Sequence, residues 1–579
     1  YAEGGSAAHL DRFLGTFTGL SEAAVEAVRA WATPSDGPGT SGLAAHLYAA
    51  SLRWSATVEE LSHRRAAIEA ALPDLLARSE LPAASEEDTR AYRSARASRK
   101  LINAQLKDLR GRYWIQVLEE FGILPNYTLL DDSVTLDVAL TWIDPDTGEF
   151  RSEPTSISRG AASALREFAP GATFYARGLE IEVDSIDLGR DGDAIRTWAC
   201  CPDCGYTTDA TPTGGAGGAP PVSVCPRCGG GGIADAKQRL DVVELTRVSA
   251  EMRRDEAAIG DRRDDRRRET FTVFTAADIN PANVARQWFV ADYDFGVRYL
   301  RHLDVRWINA GPRSGHGPAR EIAGEARPAP LFRVCRGCGR LDRNTKTNRP
   351  EEHRAWCRYR RSSEEHTVTV GLTRTLHTQG VVVRLPATVT LGDSFAIPSL
   401  SAALLLGLRE QMGGNPDHLE VTEITDPVLT PGGGHLAEAL LLHDTVPGGT
   451  GYLAELADPD RVWDLLYRAW RIVATCDCGG QGRLACHRCL LPFAPPWQVE
   501  HVAREAAERH LRALLTAGMP DAANAFAQAI RVLGPNPDRL DGQAETLIAL
   551  ANGIVTAEAR KALEQSLALK ADNPRAGYY

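Results

Sequence analysis

Residues 476–489 read CDCGGQGRLACHRC, four cysteines in the spacing C-x-C-x7-C-x2-C. Four thiolates this close favour one tetrahedral Zn2+, which makes Cys476, Cys478, Cys486 and Cys489 the expected ligands. A labile disulfide pair is the competing chemistry. Two more cysteine clusters lie upstream. CPDC and CPRC, twenty residues apart, place Cys201, Cys204, Cys225 and Cys228 as two knuckles of a zinc ribbon. Gly205 and Gly229 follow the knuckles, where the turn favours a residue without a Cβ. Cys200 also sits there, but Cys201 keeps the C-x2-C spacing; a redox dithiol is the alternative. The remaining cluster is C-x2-C-x14-H-x3-C: Cys335, Cys338, His353 and Cys357. His353 and Cys357 share a face if their segment is helical, and His366 or water could replace His353 as fourth ligand. All twelve cysteines fall in these clusters. Four protein ligands leave no position for a reacting water, so the expected cofactor is Zn2+ at two to three structural sites.

The elements that must hold these sites are mixed. The fold class expected is multidomain α+β. Residues 1–120 show helical periodicity, with loops at 37–42 and 82–90. A small β-rich domain follows at 121–195, with alternating strands at 134–142 and 179–188 and a helix over 158–171. A zinc-ribbon module occupies 196–245, and a basic linker and β region with the second zinc site occupies 246–365. Residues 366–518 read as an α/β domain with strands near 368–375, 380–391 and 435–445 and a helix over 399–412. The turn VPGGTGYLAEL at 446–456 could show backbone N–H groups to an anion but lacks a Lys-Ser/Thr pair, so a tight turn is the simpler reading. At 519–579 two segments, AFAQAIRVLGPNP and ALEQSLALKADNP, repeat at an offset of 37 residues, close to the tetratricopeptide period.

Net charge is −11, which argues against a uniformly basic nucleic-acid binder. Arg301–Arg361 is the exception, with fifteen Lys and Arg against six Asp and Glu. The charged run 253–269 is nearly balanced and reads as solvated. The longest apolar run, at 402–408, is too short to span a bilayer. The start has no basic and apolar leader, and clustered C-x2-C pairs suit a reducing compartment, so a cytoplasmic location without membrane contact is expected. The chain lacks an initiator Met and stops within a repeat, and is expected to be part of a longer one.

Several stretches together resemble the region C-terminal to the motor in superfamily 2 DEAD/DEAH-box helicases that carry an MrfA-type zinc-binding domain. They are FGILPNYTLLDDSVTLDV, ALREFAPG, CPDCGY, LLHDTVPGGTGY and CDCGGQGRLACHRCLLPF, within roughly residues 100–515. The resemblance implies that Cys476, Cys478, Cys486 and Cys489 bind zinc, although their seven-residue gap is longer than the family often shows. It also implies a part in DNA repair, or in anti-phage defence of the Druantia or DISARM kind. No GxxxxGK[ST] loop, DExH box or QxxGRxGR motif occurs, and DEAA at 255–258 follows no apolar strand. ATP binding is therefore expected only in motor domains preceding Tyr1. The tail from Met519 resembles the tetratricopeptide segment of a cytochrome c biogenesis factor.

The functional expectation is an accessory nucleic-acid-binding, zinc-stabilised region of an ATP-dependent DNA helicase. Arg333, Arg336, Arg340, Arg354 and Arg358 would contact phosphates, and Trp356 or Tyr359 would stack a base; burial beside the zinc is the alternative for these rings. Its partners would be DNA, single-stranded above all, or helicase motor domains, with proteins bound through the tail. The alternative is a zinc-ribbon and tetratricopeptide scaffold for proteins. A hydrolase using His443 and Asp444 is a third reading, weakened because neighbours on a strand face opposite ways.

Overall fold

The computed structural model describes residues 7–17, 21–33, 41–120, 133–211, 222–259, 270–290, 293–343, 352–362, 366–430, 433–495 and 498–515. The tetratricopeptide-like tail and residues 260–269 of the charged run lie outside them. The architecture is multidomain α+β, as expected. The chain forms two compact units from interleaved segments: Tyr1–Ile195, Leu245–Glu269 and Phe332–Thr369 in one, and Arg196–Glu244, Thr270–Leu331 and Val370–Tyr579 in the other.

In the first unit, Gly42–Ser79 and Glu86–Gly111 form a helical hairpin. The second helix starts inside the segment expected as loop. Ser85 accepts from Asp88 N–H while the Asp88 carboxylate accepts from Ser85 N–H, so a capping box sets the boundary. Leu61, Ile68, Leu72, Ala91, Ala95, Ile102 and Leu106 bury the facing stripes. Beside the hairpin lies a four-stranded sheet in the order Phe150–Gly160, Ser133–Ile143, Arg247–Arg253, Ser185–Ile186. Ser133–Ile143 pairs antiparallel with Phe150–Gly160 through the expected DPDTG turn and parallel with Arg247–Arg253. The strand expected at 179–188 is two short ones, Leu179–Glu182 and Ser185–Ile186. The expected helix at 158–171 is shorter, Ala161–Glu167, because the preceding strand runs to Gly160. A cavity of about 50 Å³ lies inside this unit, lined by apolar side chains such as Ile68, Ile102 and Val248 and by the charged groups of Arg64, Asp137, Asp187, Arg247, Glu251 and Arg354.

In the second unit, the strands Phe271–Asp278, Gly296–Pro312, Thr367–Arg384, Arg239–Glu244, Arg196–Cys200 and Thr207–Asp209 lie side by side in that order. Gly433–Asp444 pairs with residues 380–384 and, along its whole length, with Leu419–Thr430. The two strands expected at 368–375 and 380–391 are one, Thr367–Arg384, and the residues after it form a short helix, Ala387–Thr390. Three helices, Ala396–Met412, Pro459–Thr475 and Arg504–Leu515, pack on this sheet around fully buried Trp470. The first two approach so closely at Gly407 that a Cβ there would lie 2.5 Å from the Leu465 carbonyl oxygen.

Candidate metal centres

Each cysteine cluster closes. In all three, the four ligand atoms lie within 4.8 Å of one another: Cys201, Cys204, Cys225 and Cys228; Cys335, Cys338, His353 and Cys357; Cys476, Cys478, Cys486 and Cys489. Four thiolates, or three and an imidazole at the second site, gathered in largely buried positions fit tetrahedral Zn2+. The chain therefore has three structural zinc sites.

The first site is two matching turns. Gly205 N–H donates to the Cys201 carbonyl and Gly229 N–H to the Cys225 carbonyl, with both glycines at positive φ. Gly230 N–H points at the Cys228 sulfur, 3.4 Å away. Such N–H···S bonds disperse thiolate charge. Arg227, inside the second knuckle, is buried and donates to the carbonyls of Cys204, Ala277 and Thr425, which ties the ribbon to the sheet. Sequence spacing could not show that role. Cys200 ends the strand Arg196–Cys200 and points the other way, into a core with Leu240, Phe274 and Ile308. Burial pushes its thiol up to about 11. Cys200→Ser should therefore leave the zinc content unchanged, whereas Cys201→Ser should release one ion per chain. Metal analysis of the two purified variants checks this, and zinc loss from Cys200→Ser would reverse the assignment.

The second site has one knuckle, Cys335 and Cys338, and an irregular segment supplying His353 and Cys357. That segment is turns and not the helix that would have set His353 and Cys357 on one face. His353 Nδ1 lies 3.0 Å from Cys335 Sγ and 3.7 Å from Cys357 Sγ. His366 instead stacks on Tyr359 and meets Ser362 Oγ at 2.8 Å. Gly339 (φ +69°) closes the knuckle against the short strand Ser185–Ile186; a Cβ there would lie 1.8 Å from the Ile186 carbonyl oxygen.

The third site follows the helix Pro459–Thr475 directly. Cys476 Sγ is 3.5 Å from both Cys478 Sγ and Cys486 Sγ, and Cys478 and Cys489 are 3.9 Å apart. Cys478 and Cys489 belong to the same core as Trp470 and Leu511. Burial alone would raise the Cys486 thiol. Arg488 N–H and the thiols of Cys476 and Cys489 outweigh it and bring it down to about 7, a state ready for a metal.

The expected nucleic-acid residues gather around the second site but differ in what they present. Arg354 is buried, with its guanidinium held by Asp184, Glu251 and Ser249. Trp356 packs on the helical hairpin beside the zinc. Both are turned inward. Arg336 and Arg358 are exposed, the first donating to the Asp191 carbonyl and the second paired with the Asp191 carboxylate. Arg333 is paired with Asp342 and Arg340 with Glu352. Tyr359 carries Arg358 over its ring at 4.6 Å.

The glycine turn after Asp444 offers little to an external anion. Asp444 is fully buried, and its carboxylate accepts from Val446 N–H, Thr450 N–H and the Thr450 hydroxyl. His443 lies behind it, with Nε2 3.2 Å from Thr422 Oγ1 and Nδ1 facing the Asp444 carbonyl, so no histidine–carboxylate dyad forms. Burial holds the His443 imidazole below its usual range. The unfolded chain therefore takes up this proton first. The associated stability is present above about pH 6.5 and is lost as the pH falls below it. The slope can reach about 1.4 kcal/mol per pH unit for one proton. Thermal midpoints from pH 7.5 to 5.5 should fall more steeply in the native chain than in His443→Leu; equal slopes would mean that this imidazole does not titrate on unfolding.

Together, fold and sites define a multidomain α+β protein braced by structural zinc. Residues 400–490 match the MrfA Zn-binding domain family. These residues thus form an MrfA-type zinc-binding domain, with the third site inside it. It is also similar to cytochrome c-type biogenesis protein CycH: 52% identical over 61 residues to that of Rhizobium meliloti (strain 1021), and 41% over 59 residues to that of Bradyrhizobium diazoefficiens. Each match takes in 10% of this chain and 16% of the relative. Among solved structures, DUF1998 helicase MrfA bound to DNA aligns with a TM-score of 0.32 at 12% identity, covering 67% of this chain and 34% of that one.

Proposed function

We propose that this chain is a zinc-braced, DNA-contacting region that works beside an ATP-dependent helicase motor, in DNA repair or anti-phage defence in the cytoplasm. The MrfA-type zinc-binding domain at residues 400–490 carries the reading. With no phosphate-binding loop or DExH box in its 579 residues, ATP hydrolysis falls to the motor. Arg336 and Arg358 would lead the contact with a single strand, with Arg333 and Arg340 at the margin and Tyr359 offering a ring. Each arginine would exchange a local oxygen partner for a phosphate, so this surface alone would bind modestly. Arg354 and Trp356 act from inside, as supports of the second zinc site.

Fluorescence anisotropy of the zinc-loaded chain with a single-stranded DNA oligomer, over a salt series, tests this. Binding should weaken steeply with salt, because phosphate contacts release counterions, and should weaken further in Arg336→Glu/Arg358→Glu. A folded, zinc-replete chain that binds no DNA at low salt would overturn the reading. The second reading, a protein-interaction scaffold, is favoured by the carboxylate pairing of Arg333, Arg340 and Arg358 and by the CycH similarity. It would then be tested by pull-down with candidate motor domains.

A further inference from the structure

A second surface, away from the zinc ligands, has the chemistry of a nucleic-acid site. The helix Glu86–Gly111 contains eighteen consecutive residues, 90–107, with six Lys and Arg and no Asp or Glu. Arg90, Arg93, Arg96 and Arg99 recur every third residue, each about 60° further around the helix, so that Arg96 and Arg99, with Lys100, form the stripe toward the sheet. That stripe borders an open groove of about 570 Å³ whose other wall is the strand pair Ser133–Ile143 and Phe150–Gly160. Arg96, Arg99, Lys100 and Arg151 line it with the rings of Trp142 and Phe150, and Glu153 is the single acidic residue of the lining.

What holds these cations in place matters most. Phe150 has Arg93 over its ring at 5.9 Å and Arg96 at 5.5 Å, and Trp142 has Arg254 at 5.0 Å. Among the described residues, no carboxylate is recorded within ion-pair distance of Arg93, Arg96 or Arg99. A ring orients a guanidinium without neutralising it. Arg96 and Arg99 therefore keep their positive charge, whereas Arg151 across the groove is paired with Asp144 and Glu149 and Lys100 donates to the Ser152 carbonyl. Aromatic rings and guanidinium groups both offer flat surfaces to a base. From Arg96 to Asn103 the helix wall of the groove runs about 10 Å, enough for about two or three nucleotides.

We infer that this helix–sheet groove binds a short run of single-stranded nucleic acid, with phosphates on Arg96, Arg99 and Lys100 and bases against the guanidinium-covered rings of Trp142 and Phe150. The inference rests on the reading that this region handles DNA and adds a contact surface that the zinc-side residues do not include.

The test uses the full zinc-loaded chain, a dT oligomer and anisotropy over a salt series, with two variants. Arg96→Gln/Arg99→Gln removes two exposed guanidinium groups; helix content and zinc stoichiometry confirm that it is folded. It should bind more weakly at low salt and flatten the plot of log affinity against log salt by about 1.4, or 0.7 for each phosphate lost. Arg336→Gln/Arg358→Gln probes the zinc side separately. If only this second variant loses affinity, the groove is overturned and the zinc-side reading stands. If only the first loses affinity, the groove stands and the zinc-side residues do not make the contact. No binding by the native chain overturns both. Inorganic polyphosphate of matched charge is the control: binding as tight as that of the dT oligomer would make the groove a general polyanion site and overturn its assignment to nucleic acid.

Discussion

Cys489→Ser is expected to release one of three zinc ions and to unfold the helices around the third site. Cys489 is fully buried, in the core that holds Trp470, Leu466 and Leu511. Its Sγ accepts from Cys486 N–H and lies 3.7 Å from Cys486 Sγ. A serine there would be a poor zinc ligand and a polar group in an apolar wall. Structural zinc contributes apparent binding energies of about 10–16 kcal/mol in small zinc modules, more than the net stability of most domains. The loss should therefore reach the helices Pro459–Thr475 and Arg504–Leu515. Metal analysis should find two zinc ions per chain, and tryptophan fluorescence should shift to the red as Trp470 meets water. Three zinc ions with unchanged fluorescence would sink this account. Chelation of the native chain should reproduce the change.

The second large effect is expected from Arg354→Ala. Arg354 answers two buried carboxylates at once: its guanidinium lies 2.9 Å from Glu251 and 3.0 Å from one Asp184 oxygen, with a second contact to the other. Removing it leaves both charges without their main counter-ion. Breaking a buried pair in this way costs about 3–5 kcal/mol. The pH dependence gives a second signature. Burial already raises Asp184 above the ordinary carboxylate range, with Arg354 the chief opposing influence. A raised carboxylate stabilises the fold at low pH and loses that contribution as the pH climbs through its folded value. Without Arg354 the rise would be larger. The deficit of Arg354→Ala should thus be widest at neutral pH and shrink on mild acidification. Denaturant midpoints at pH 7 and 5 measure it, and a deficit below 1 kcal/mol, or one independent of pH, would contradict the network.

The zinc sites were legible in sequence because a knuckle is a local object. Two cysteines three apart and a glycine are most of its geometry, and even the irregular His353–Cys357 pair could be read from spacing. The arginine run at 90–99 was equally local and was missed. An overall charge of −11 masked it, and its aromatic supports, Trp142 and Phe150, lie some fifty residues further on. Arg354 was misjudged for the opposite reason. Its basic neighbourhood reads as a surface, while the carboxylates that draw it inward are at Asp184 and Glu251. The parallel pairing of Thr135–Thr141 with Arg247–Arg253 had no sequence signal either, since alternation marks a strand but not its partner. The glycine turn at 446–451 shows how one buried side chain decides such a question: Asp444 takes the N–H groups that an anion would have used.

The interleaving of the two units has a consequence for how the protein is made. The chain passes from one unit to the other at 195/196, 244/245, 269/270, 331/332 and 369/370. A ribosome that has finished Ile195 has not yet made the strand Arg247–Arg253, nor the second zinc site, whose last ligand is Cys357. At about 5–20 residues per second, the edge of Ser133–Ile143 would wait roughly six to twenty seconds for Arg247–Arg253, and Cys335 and Cys338 would later wait about one to four seconds for Cys357. The nascent chain thus shows first an unpaired strand edge and later two lone thiols, so the order of synthesis itself creates one window for chaperone binding and another for misoxidation or capture of the wrong metal.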